Sequence, residues 1–224
     1  MLYQTAYYGH ACANSGGVLL LQQLKGKRGK KPVLFACLCD AESNSGASAY
    51  FATHIIDWFR YEGLPLCGNG KTKEMEQLQK KLEKKLEQIL ADIFMIYPEQ
   101  KMHFNGMICV GDALCFFYQG KQRICLLNKL FERDHIKRLN APDQPEERMV
   151  FQQARIQAGA GLLLGTESFF EAFGREELEE CLEIQVMDRE ERMQKRLQEL
   201  GKETIRRGQS SVAVIWIGFW EGRG

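Results

Sequence analysis

Three carboxylates stand where an apolar run gives out. Asp40 follows Val33-Leu34-Phe35-Ala36-Cys37-Leu38-Cys39, Asp112 follows Met107-Ile108-Cys109-Val110-Gly111, and Glu167 follows Leu162-Leu163-Leu164-Gly165-Thr166. An acid at the end of a buried strand, where the chain turns into its next element, has the chemistry to hold a hard cation, because Mg²⁺ and Mn²⁺ take oxygen ligands. Each acid also has a plainer use. Asp40 can form a turn or cap a helix. Asp112 lies in a Gly-Asp hairpin turn, where its side chain accepts backbone N–H bonds. Glu167 can cap the helix that follows. His54 and His103 fall inside apolar patterns and are expected in the core or at its rim. His135 follows Asp134 and can pair with it in a turn.

The elements that would carry these residues are legible from periodicity. Tyr3 to Cys12 and Val18 to Leu24 read as strands, and Val33 to Cys39 has the continuous apolar character of a central strand. Residues 41–46 have loop chemistry. A helix is expected from Ala47 to Tyr61, on the spacing of Phe51, Ile55, Trp58 and Phe59, with Gly63 and Pro65 to stop it. A second helix runs from Thr72 to Phe94, with an apolar stripe at Met75, Leu78, Leu82, Leu86, Ile89, Leu90 and Ile93. It lasts about three heptads, which favours packing on a sheet over a coiled coil. Met102–Val110, Ala113–Tyr118 and Arg123–Leu127 read as an antiparallel meander. Residues 140–147 are a loop. Strands follow at 150–157 and 161–164, helices at 176–182 and 189–207, and a strand at 211–217. Nine strands with segregated helices imply one α+β domain over residues 1–224, built from two sheets face to face and flanked by helices.

Composition narrows the function classes. The chain has 224 residues, 45% of them hydrophobic, enough for a core without staples. A net charge of +1 gives no global electrostatic case for nucleic acid or an anionic membrane. The dense basic stretch Lys25-Gly26-Lys27-Arg28-Gly29-Lys30-Lys31 reads as a solvated hairpin tip, with a phosphate-binding patch as the sharper alternative. Eight cysteines sit mostly in apolar runs without C-x-x-C spacing, so reduced core thiols are expected, with Cys37 and Cys39 on one face of their strand. The first residues lack the pattern of a signal peptide, and no stretch approaches a membrane span. A cytoplasmic location is the expectation.

In order and context these motifs resemble the metal-dependent protein phosphatases of type 2C. The family's D-G-x-x-G, at the end of a central strand, is matched by Asp40-Ala41-Glu42-Ser43-Asn44-Ser45-Gly46. Its G-D-S-R turn is matched by Gly111-Asp112-Ala113-Leu114, and its T-x-D-H by Arg133-Asp134-His135. Its L-L-x-S-D-G is matched by Leu163-Leu164-Gly165-Thr166-Glu167-Ser168, and its final D-N-x-T by Gly208-Gln209-Ser210-Ser211. The resemblance spans nearly the whole chain and implies a four-layer α-β-β-α sandwich of two mainly antiparallel sheets flanked by helix pairs. It also implies two Mg²⁺ or Mn²⁺ ions and a bridging hydroxide that attacks phosphorus.

Carried over residue by residue, the resemblance makes Asp40 the metal bridge, Glu167 a ligand in place of Asp, and Asp112 a weaker metal or turn residue. The same alignment is eroded elsewhere. Ala41 replaces a glycine, and Gly208 replaces the final Asp. The N-terminal R-x-x-N-E-D reads Ala11-Cys12-Ala13-Asn14-Ser15-Gly16, so Ala11 stands for the phosphate-clamping Arg and Ser15 and Gly16 for the acids. Too few anionic oxygens remain to offset two divalent ions, so no metal or weakly bound Mg²⁺ or Mn²⁺ is expected. The implied function is a pseudophosphatase, a regulatory or binding module for a protein or phosphoprotein in cytosolic, bacterial-type signalling. The alternative is an active Mn/Mg-dependent serine/threonine phosphatase with an atypical site that recruits Glu42. A third option is self-association through the 72–94 helix. No oligomeric state follows from the sequence.

Overall fold

The computed structural model describes residues 1–10, 17–26, 30–41, 45–128, 136–138, 148–182 and 189–221. In chain order, β1 (Leu2–His10), β2 (Val18–Leu24) and β3 (Val33–Ala41) precede α1 (Ser45–Trp58), α2 (Leu64–Leu66) and α3 (Thr72–Ile96). Then come β4 (Met102–Val110), β5 (Ala113–Gln119), β6 (Arg123–Asn128), β7 (Ile136–Arg138), β8 (Val150–Arg155) and β9 (Ala160–Gly165). Helices α4 (Glu167–Glu171), α5 (Arg175–Cys181) and α6 (Glu190–Arg206) lead to β10 (Val212–Trp220).

The strands form two five-stranded antiparallel sheets, ordered β1-β10-β9-β6-β7 and β2-β3-β4-β5-β8. Three apolar layers follow from strand alternation. Val33, Phe35, Cys37 and Cys39 of β3 face α1 and α3, meeting Phe51, Ile55, Leu78 and Leu82. Leu34, Ala36 and Leu38 face the other sheet, meeting Leu162, Leu164 and Ile215. Leu163 and Trp216 face outward onto Phe169, Met193 and Leu197 of the second helix layer. The α+β sandwich, α-β-β-α in layers, is therefore the architecture. Leu82 and Leu86 of α3 are fully buried against the sheet, so the stripe serves the core rather than a coiled coil.

Several elements differ from expectation. The first helix does not end at Gly63. It passes through a π turn at Phe59–Gly63, where Gly63 lies under the Trp58 ring, and continues as α2. Pro65 sits in the first turn of α2, where its missing N–H costs nothing. Strand β3 runs on through Asp40 to Ala41. The expected meander splits: β5 pairs with β4 and β8, whereas β6 pairs with β7 and β9 in the other sheet. A short strand at Ile136–Arg138 and the short helix α4 are additional.

Candidate functional site

Alternation along β3 places Asp40 on the face of Leu34, Ala36 and Leu38, between the sheets and at the strand's end. Its cross-strand neighbour is His103. Two residues along β4, Asn105 is fully buried, and its Nδ2 donates to the carbonyls of Arg123 (2.8 Å) and Gly165 (3.3 Å) in the opposite sheet. One side chain thus pins the end of β3 and β4 to the ends of β6 and β9. Glu167 opens α4 two residues after Gly165, so Asp40 and Glu167 belong to one rim.

Among the described residues, Arg123, Lys121 and Gln122 flank that rim. Arg123 Nη2 lies 3.4 Å from Glu167 Oε1, with the two side chains 25% and 32% exposed. The turn Gly120-Lys121-Gln122 carries the chain between sheets: Lys121 N–H donates to His103 Nδ1 (3.3 Å), and Gln122 Nε2 donates to the His103 carbonyl (3.2 Å). Gly120, at φ +78°, packs its backbone directly on the His103 ring, where a Cβ has no room. Beyond Glu167, Ser168 Oγ donates to the Ser211 carbonyl (2.7 Å) and Ala213 N–H donates to Thr166 Oγ1 (3.2 Å). These bonds hold the segment after α6 against the start of α4.

Asp112 is elsewhere, a correction to the expectation that three strand-end acids share a site. The register that sets Asp40 opposite His103 sets Val33 opposite Val110, so Asp112 lies at the other end of the sheet. Seven residue steps separate the ends, about 23 Å at strand rise. There Asp112 accepts from Lys31 Nζ (2.6 Å) and Arg155 Nη1 (2.7 Å). The Lys31 hydrogen bond, then that of Arg155, holds its carboxyl well below the usual range. It clamps the entry to β3, the β4–β5 turn and β8 together. The turn at Asp40's end is Gly120-Lys121-Gln122-Arg123. It keeps the glycine and arginine of the G-D-S-R pattern, a signal the sequence offered, with Lys121 where the pattern has an acid.

The remaining positions are placed as follows. Ala41 is buried on the helix-facing side of β3. Gly208, at φ +94°, ends α6 with its N–H on the Ile205 carbonyl (3.0 Å) and brings no ligand. His54 stacks on Tyr50, with its Nδ1 2.8 Å from the Tyr50 carbonyl oxygen. Ala11, Ser15, Gly16, Glu42 and His135 lie outside the described residues. Among the described residues, no three His, Cys, Asp or Glu side chains are grouped to hold a metal. Two divalent ions need several anionic oxygens; among the described residues this rim offers Asp40 and Glu167, and Glu167 faces a guanidinium. No helix among the described residues is long and apolar enough to cross a membrane.

No protein-family model matches the sequence, and no curated protein matches it. Solved structures do. The serine/threonine phosphatase PstP/Ppp of Mycobacterium tuberculosis superposes with a TM-score of 0.71 at 12% identity, covering 99% of this chain and 100% of that one. The serine/threonine phosphatase of S. agalactiae gives a TM-score of 0.68 at 12% identity, covering 97% and 100%. The PstP catalytic domain in complex with two manganese ions gives 0.64 at 13% identity, covering 98% and 99%. Likeness at such identities is one of fold, and it extends over the full sandwich: this chain has the fold of the type 2C, metal-dependent serine/threonine phosphatases.

Proposed function

We propose that this chain is a degenerate type 2C-like phosphatase domain, a pseudophosphatase that works as a binding or regulatory module for a protein or phosphoprotein partner in bacterial-type cytosolic signalling. The observation that carries this reading is the Arg123–Glu167 pair. A guanidinium carries its charge at any working pH, so it neutralises the acid that a metal would need and repels an incoming divalent ion. Lys121 in the adjoining turn adds a second cation, and Gly208 offers no carboxylate. Among the described residues, Asp40 is the other strand-end acid at this rim, and one carboxylate cannot balance two divalent ions. A binding role is supported by the surface beside the rim. A cavity of about 440 Å³ lies between the end of α3 and the start of β4, lined by Ile93, Phe94, Met102 and His103 among others. Phe94 in its lining is exposed, as are Met95 and Ile96, the next residues of α3.

Calorimetry with Mn²⁺ is expected to give no tight site, and hydrolysis of an aryl phosphate is expected to stay at background with Mn²⁺ or Mg²⁺ present. Robust Mn²⁺-dependent turnover that Asp40→Ala abolishes would overturn the proposal and establish an active phosphatase with an atypical site.

A further inference from the structure

The two sheets present four edges, and three are protected in ways that discourage another strand. On β1, the Gln194 side chain of α6 acts as a substitute strand: Tyr7 N–H donates to its Oε1 (3.0 Å), and its Nε2 donates to the Tyr7 carbonyl (2.7 Å). β7 is three residues long. β8 is polar and exposed from Gln152 to Arg155, with Gln153 tied to Gln79 of α3 (2.7 Å) and Arg155 tied to Asp112.

The fourth edge, β2, has no such protection among the described residues. It is seven residues long and reads Val18-Leu19-Leu20-Leu21-Gln22-Gln23-Leu24. Its inner side pairs with β3 throughout, and no backbone bond reaches beyond it among the described residues. Val18, Leu20 and Leu24 pack toward the helix layer while Leu19 and Leu21 pack between the sheets, and every one of them is only half-buried. An added strand would complete both layers and occupy the outward N–H and C=O groups. Basic side chains stand at one end of the edge: Lys25 and Lys30 are exposed where β2 gives way to β3. Arg60 reaches Gln22 from the π turn (3.4 Å), a turn that also carries the exposed Glu62.

We propose that the β2 edge is a docking site for an extended peptide that adds to the sheet as a sixth, antiparallel strand, with β-branched residues in its body and acidic residues at its N-terminal end. The polarity follows from the register. An antiparallel strand begins opposite Leu24, beside Lys25 and Lys30, and runs toward Val18. Backbone pairing supplies affinity, and Lys25 and Lys30 select the acidic flank. The basic end of this edge lies at the Asp112 end of the sheet, and the inference stands independently of whether the Asp40 rim turns over phosphate.

The test uses the whole chain and a synthetic peptide of three acidic residues followed by alternating valine and threonine, titrated to about 1 mM, the weak end of useful affinity. Saturable binding is expected, with slowed amide hydrogen exchange confined to residues 18–24. The double variant Lys25→Glu, Lys30→Glu should raise the Kd at least tenfold, and a peptide with the acids replaced by lysine should not bind the parent chain. No binding, binding without protection of 18–24, or binding indifferent to the charge reversal would each overturn the proposal. So would a concentration-dependent mass with 18–24 protected in the absence of peptide, which would assign the edge to a second copy of the chain.

Discussion

Asp112 and Glu167 each follow the end of a strand and meet a basic side chain, and their environments set different roles. Asp112 is held by Lys31 and Arg155, with its carboxyl depressed well below its ordinary value. A depressed carboxylate stabilises the fold above its unfolded pKa of about 4 and loses that contribution as pH falls through the folded value. Asp112→Asn is therefore expected to lower stability by about 1 kcal/mol at pH 7, because solvent screens part of the pairing. The difference from the parent should shrink steadily below about pH 4, which urea titrations at several pH values would measure. Since Asp112 is remote from Asp40, the same variant should leave Mn²⁺ calorimetry unchanged. Asn105 is the opposite case, buried and joining two sheets through the Arg123 and Gly165 carbonyls. Asn105→Ala leaves both acceptors without that donor and should cost about 1–3 kcal/mol in the same titration. The positions of Asp40 and Glu167 at strand ends were legible in sequence because each closes an apolar run. Lys121 and Arg123 were not, because two glycine-containing turns, at Gly111 and Gly120, look equivalent until register assigns each to an end of the sheet.

Among the elements, β4 shows how closely the central sheet is built. Gly106 faces the helix layer with the Phe117 ring over it: a Cβ there would lie 2.5 Å from Phe117 Cζ and 2.8 Å from the Ala36 carbonyl oxygen. Neither neighbour can yield without moving strand backbone or a fully buried ring. Gly106→Ala should therefore destabilise the protein by about 1–3 kcal/mol, as overpacking does, read as a fall in the urea midpoint with unchanged slope. Helix α3 carries the complementary prediction. Leu82 is fully buried against the sheet, and Leu82→Ala is expected to cost about 2–5 kcal/mol without changing the mass seen by light scattering. The amphipathic period of α3 and the apolar runs of β3, β9 and β10 were readable locally. The assignment of β6 to the other sheet was not. A strand's partners depend on which neighbour completes its two faces, and Ile124 and Leu126 could complete either sandwich face in a linear reading. The extension of α1 past Gly63 was hidden for a related reason: Gly and Pro are weighed as breakers until the Trp58 ring and the helix start at Leu64 give each a use.

Taken as one body, the sandwich is latched at both ends. Asn105 closes the Asp40 end, and at the far end the buried Tyr3 hydroxyl of the first sheet lies 2.8 Å from the Gly111 carbonyl oxygen and 3.1 Å from that of Pro32, both in the second. Free thiols are buried on both faces of the second sheet, Cys37, Cys39, Cys67 and Cys115 under the first helix layer and Cys109 between the sheets. Burial pushes Cys67 and Cys115 up to about 12 and raises Cys37, Cys39 and Cys109 as well. A thiol whose folded pKa exceeds its unfolded value of about 8.5 keeps its proton only in the native state. Stability is then full below pH 8.5 and falls above it, by roughly 1.4 kcal/mol per pH unit for each such thiol. The melting temperature should drop steeply between pH 8.5 and 10.5, and iodoacetamide should spare these five thiols until the chain unfolds. The left-handed residue after α6 limits what can be built there. At φ +94°, Gly208 occupies backbone that an L side chain enters at a penalty of about 1–2 kcal/mol. An acid introduced at this position strains the helix end whether or not an ion arrives to meet it, so any ligand engineered there starts from a stability deficit.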